Sequence, residues 1–126
     1  MSATESIENF LKLPRSTAEC DEGPETIFRP GVLTVRYDSE TEAGRAWTTL
    51  RFRGAIALRV IPAPAISPIV IEAYSKVCVI KNSAWLASLM NTHGDGRLPE
   101  DRKHFVVFFD HYGSVETIAR TCELEP

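Results

Sequence analysis

The 126-residue chain has only three cysteines, Cys20, Cys78 and Cys122, which are far apart and form no C-x-x-C pair. An odd number at such spacings gives neither a disulfide framework nor a thiolate zinc site. Cys78 lies in an apolar run and reads as a buried thiol. No apolar run approaches the ~20 residues of a membrane-spanning helix. The N-terminus, Met-Ser-Ala-Thr-Glu-Ser-Ile-Glu, is acidic where a secretory signal is basic, so a cytoplasmic location is expected. No Gly-x-Ser-x-Gly context supports a nucleophilic serine. Gly94-Asp95-Gly96 lacks the strand, helix and lysine of a phosphate loop. His93, His104 and His111 have no metal-ligand spacing. Neither a metal nor a cofactor is expected.

Charge of one sign is also scarce, the net being −3. It is unevenly spread: −4 over residues 1–45, +4 over 46–103 and −3 over 104–126. Nucleic-acid binders draw affinity from clustered Lys and Arg, so this balance argues against direct nucleic-acid binding. An acidic edge beside a basic stripe suits a protein partner.

What the chain does have is β-pattern. His104 to Ala119 reads as a hairpin, with an aromatic run entering Asp110-His111-Tyr112-Gly113 and a second β-prone run leaving it. Trp47 to Ile61 alternates: Leu50, Phe52, Ile56, Leu58 and Val60 share one parity, and Arg51, Arg53 and Arg59 the other. It is one long strand, or two bent at Gly54. Thr26 to Tyr37 is a strand bent at Pro30-Gly31. Ile69 to Ile80 fits either helix or strand, and its Val and Ile content favours strand from Ala73 on. Ser2 to Lys12 has capping-box spacing and places Ile7, Phe10 and Leu11 on one helical face. Ser83 is the N-cap of a short helix through Met90, with Trp85, Leu86, Leu89 and Met90 toward the core.

The expected fold is a single α+β domain spanning residues 1–126. Residues 1–25 form a helix plus acidic connection, and 26–126 form a sheet-rich core. One antiparallel sheet of about five strands, free to curl at Gly54 and Gly113, carries the two helices on one face. Asp110, His111, Tyr112 and Glu116 at one hairpin end could be imagined as an acid–base cluster. A tight turn is open to water, however, and Asp at its start commonly accepts a backbone hydrogen bond.

Arg51, Arg53 and Arg59, joined by Arg36, make a basic face that is either a solvated surface with packed stems or a contact surface. Trp47 supplies an aromatic anchor to the second reading. The acidic loop of Glu19, Asp21, Glu22 and Glu25 offers a complementary surface for a basic partner.

The pattern Trp47-x-x-Leu50-x-Phe52-x-Gly54, then Ser83-x-Trp85-Leu86, then His104-Phe-x-Val-x-Phe109-Asp110-x-x-Gly113-x-x-Glu116-x-Ile-Ala119 resembles small uncharacterised bacterial proteins. Some of these are similar to immunity proteins of polymorphic toxin systems. The resemblance covers residues 46–119, and its matched positions are mostly core aromatics and a turn. It implies a cytoplasmic protein that binds and blocks one toxin without catalysis or cofactor. The alternative is a small-molecule binder or small enzyme with a pocket between sheet and helices, using Arg51, Arg53, Tyr74 or His104.

Overall fold

Alternating apolar residues give the chain strands with one dry face, and two sets of such strands close on each other. The computed structural model describes residues 4–17, 20, 23–92 and 101–125. Nine strands among them pair antiparallel into two sheets. The first sheet has the order β1 (Ser6–Lys12), β6 (Lys76–Lys81), β7 (Lys103–Phe109), β8 (Gly113–Ala119), β5 (Ala57–Pro62). The second has the order β2 (Glu25–Arg29), β3 (Gly31–Thr41), β4 (Gly44–Ala55), β9 (Thr121–Leu124).

The core lies between the sheets. Leu33, Val35, Tyr37, Leu50 and Phe52 of the second sheet meet Val77, Val79, Phe105, Val107, Phe109 and Val115 of the first. Tyr37 stands edge-on to Phe109 at 5.4 Å, and Phe52 tilts against Phe105 at 5.6 Å, so ring contacts tie sheet to sheet. The Tyr37 hydroxyl, buried with its ring, donates to the Arg15 carbonyl at 3.0 Å. Burial pushes that phenol up to about 12.

The first sheet is covered on both faces. Its outer face carries a second core of Cys78, Ile80, Val106 and Phe108, roofed by Val70 and Ala73 of a 3-10 segment at Pro68–Ala73. Helix α1 (Ala84–Thr92) packs on β7, with Trp85 against His104. Seven of seven residues in β8 are buried, as expected of a strand covered on both sides.

The expected α+β class is corrected: strands take up 61% of the described residues and helices 16%, so the fold is a nearly all-β sandwich. The N-terminal helix is instead strand β1, paired with β6 from Ser6↔Lys81 to Lys12↔Lys76. A bulge between Asn9 and Leu11 explains the misleading pattern. It resets the alternation, so Ile7 packs on the outer core while Leu11 packs on the inner one. Apolar residues spaced by four thus satisfy two faces of a sheet rather than one face of a helix.

The single five-stranded sheet is corrected for a related reason. Trp47 to Ile61 is two strands in different sheets, parted at Ile56 just beyond the left-handed Gly54 (φ +71). A Cβ at Gly54 would stand 2.9 Å from the Cβ of Arg120, so the switch of sheets needs glycine there. Beyond it the parity breaks: Ala55 is buried, whereas Ile56 and Val60 are exposed. The expected bend at Pro30-Gly31 is a full hairpin turn, pairing Arg29 with Val32. The ambiguous segment splits: Pro68–Ala73 is 3-10 helix, and the strand begins at Lys76 rather than Ala73. The hairpin at 104–119 and the helix capped by Ser83 form as read, although Met90 is exposed.

Candidate functional site

The outer face of the second sheet gathers most of the residues singled out from the sequence. Trp47 and Arg36 lie across the β3–β4 pair, and the Arg36 guanidinium sits 4.6 Å from the Trp47 ring centroid. Arg36 also pairs with Glu25 of β2 at 3.5 Å. Arg51 bonds Glu125, and Arg53 bonds Glu123 at 2.6 Å. The basic stripe is therefore a ladder of alternating sign, with carboxylates supplied by both flanking strands. Trp47, 39% exposed, is its aromatic centre.

Arg59 does not belong to this surface. The break beyond Gly54 sends it to the outer face of the first sheet, opposite Glu116 in register. Of the acidic loop, Glu25 is in β2, while Glu19, Asp21 and Glu22 lie outside the described residues, as does His93.

Sequence reasoning missed a second constellation, built around Arg59. The Glu116 carboxylate receives Arg59 at 2.9 and 3.2 Å, the Ser114 hydroxyl at 2.7 Å and His104 Nε2 at 2.6 Å. The other His104 nitrogen, Nδ1, lies 2.7 Å from Ser83 Oγ. Trp85 covers the group, edge-on to His104 at 5.2 Å and beneath the Arg59 guanidinium at 4.4 Å. Burial alone would raise the Glu116 pKa. The hydrogen bonds from His104, Ser114 and Arg59, with the Arg59 charge, reverse this and bring it down to about 2. A carboxylate on a strand buried over its full length demands such partners, and that was the signal in the sequence.

Ser83–His104–Glu116 has the residue types of a nucleophilic set, but Ser83 Oγ is committed as a helix cap. It accepts the Leu86 N–H at 3.0 Å, and the neighbouring Ala84 N–H donates to the Glu5 carboxylate at 2.8 Å. The donor best placed to stabilise an oxyanion is already satisfied by a carboxylate. The network instead fastens α1 to the first sheet, through His104 of β7 and through Glu5 just ahead of β1. Replacing Ser83 with Ala should therefore cost about 2 kcal/mol, a lost cap plus an unpaired buried ring nitrogen. Urea unfolding reads this directly, and a loss below about 0.5 kcal/mol would contradict the anchoring role.

Beside the network, a cleft of about 580 Å³ runs between α1 and β6, lined by Ser83, Leu86, Met90, Lys81, Lys103 and His104. Of the residues considered for a pocket, only His104 reaches it. Arg51 and Arg53 are on the other sheet, and Tyr74 lines a separate hollow with Asn9 and Lys76. Burial raises the thiols of Cys20, Cys78 and Cys122, the last to about 12, which keeps them protonated. Among the described residues no group of three or more His, Cys, Asp or Glu side chains is placed to hold a metal ion. Nor is any helix among them long and apolar enough to cross a membrane. No protein family, curated protein or solved structure matches this chain.

Proposed function

We propose that this protein is a protein-binding module: an immunity-type inhibitor that binds and neutralises one cognate bacterial toxin in the cytoplasm, without catalysis. The observation that carries the reading is the asymmetry of the sandwich. One outer face is roofed by the 3-10 segment and α1, whereas among the described residues the other carries no covering element and holds a Trp–Arg pair inside a ladder of both charge signs.

Trp and Arg dominate the energetics of protein interfaces, and flanking ion pairs set orientation and encounter rate. Each arginine of the ladder already has a carboxylate, which disfavours a phosphate backbone and suits a surface of mixed sign. The resemblance of residues 46–119 to immunity-like proteins points the same way.

The test is capture of the tagged protein's partner from its own cells, followed by co-expression of the two. The proposal expects one stoichiometric protein whose growth arrest is lifted by this chain. A preparation that carries only a small molecule, seated in the cleft beside α1, would contradict it and favour a ligand-binding protein.

A further inference from the structure

The open edge of the second sheet is self-complementary. Among the described residues strand β2 pairs with β3 alone, and all five of its residues are exposed, Ile27 at 50% and Phe28 at 40%. An edge strand offers a row of backbone donors and acceptors to any chain that can pair with it. In the hairpin closed by Arg29↔Val32, residues 25, 27 and 29 turn their backbone groups to β3, so those of Thr26 and Phe28 point to the free edge.

We propose that two copies of this chain pair through β2, antiparallel and centred on Ile27. That register places Thr26 opposite the second copy's Phe28 as a hydrogen-bonded pair, and Ile27 opposite itself. It also sets Glu25 directly opposite Arg29 at both ends, at the separation where cross-strand charges interact. The strand thus carries, two residues either side of its centre, an acid and a base that a two-fold axis brings together. Arg36, already bound to Glu25, extends each pair into an Arg–Glu–Arg row. The four-stranded sheets join into one, with the two Trp47 faces side by side.

The other edges lack this match. β1 is interrupted by its bulge, and β9 has only four residues. β5 carries Arg59 with no acid of its own strand to face it.

Sedimentation of the full chain across about 1 to 500 μM should show a species of twice the 14.0 kDa chain mass, with a dissociation constant in the micromolar range. Arg29→Glu alone and Glu25→Arg alone each place like charges opposite each other and should be monomeric over that range. Mixed in equal amounts, the two variants restore both pairs and should form a heterodimer. Circular dichroism of each variant before mixing establishes that it is folded, and Ile27→Lys, which sets two ammonium groups at the axis, is the alternative if either is not. A wild-type chain that stays monomeric overturns the proposal. So does a mixture that stays monomeric, or a dimer indifferent to all three substitutions.

Discussion

Glu116→Gln is expected to cost about 3 kcal/mol of folding stability at neutral pH, and that cost should vanish in acid. The folded carboxyl titrates at about 2 against an ordinary 4.5, because His104, Ser114, Arg59 and the Arg59 charge outweigh the effect of burial. A depressed folded pKa contributes stability that is fully present above the unfolded value. It is lost as pH falls from 4.5 through about 2. Glutamine keeps an acceptor for His104 but has no charge to offer Arg59, so the variant lacks this pH-dependent part. Unfolding in urea at a series of pH values should show the wild-type advantage shrinking steadily below pH 4.5 and approaching zero only at about pH 2 and below. A difference that stays constant from pH 7 downward would mean that Glu116 is held by packing alone.

Gly113→Ala should be at least as severe, at about 3 kcal/mol or more, enough to leave a marginal domain unfolded. Gly113 begins β8 at φ +131, and a Cβ there would stand 1.9 Å from the Ile61 carbonyl oxygen and 2.9 Å from Pro62 Cα. Both obstacles are backbone of the paired strand β5, so relief requires the β5–β8 ladder to part. Gly31 is the control. At φ +90 it meets nothing within 4 Å, and alanine there should cost only about 1 kcal/mol of backbone strain. Equal melting temperatures for the two variants would contradict the close approach of β5 to the hairpin turn.

The same hairpin shows what a sequence can disclose. Its period-two pattern of aromatic and β-branched residues and its turn were legible, although the left-handed residue is His111 (φ +71) as well as Gly113. The Ser83 cap was legible because a hydroxyl just ahead of an apolar run has a specific task. Strand β1 was not, since one bulged residue converts a two-face strand pattern into the spacing of a helix. The division into two sheets was hidden behind one left-handed residue, Gly54, two positions ahead of Ile56, where an unbroken alternation passes from one sheet to the other.

Of the candidate surface, Arg36, Trp47, Arg51 and Arg53 were legible as one face because they share parity on adjacent strands. Their neutralisation by Glu25, Glu123 and Glu125 was not, because those contacts cross up to 74 residues of chain. The Arg59–Glu116–His104–Ser83 network depends on three neighbouring strands and a helix cap, an arrangement that only the register supplies.

The most direct test of the proposed binding face is the affinity of Trp47→Ala for the captured partner, measured by calorimetry beside Val60→Ala on the exposed β5 edge. The proposal predicts a loss of at least about thirtyfold for Trp47→Ala, the scale of an interface hot spot, and no change for Val60→Ala. Wild-type affinity in a folded Trp47→Ala variant would contradict it and place the partner elsewhere on the sandwich.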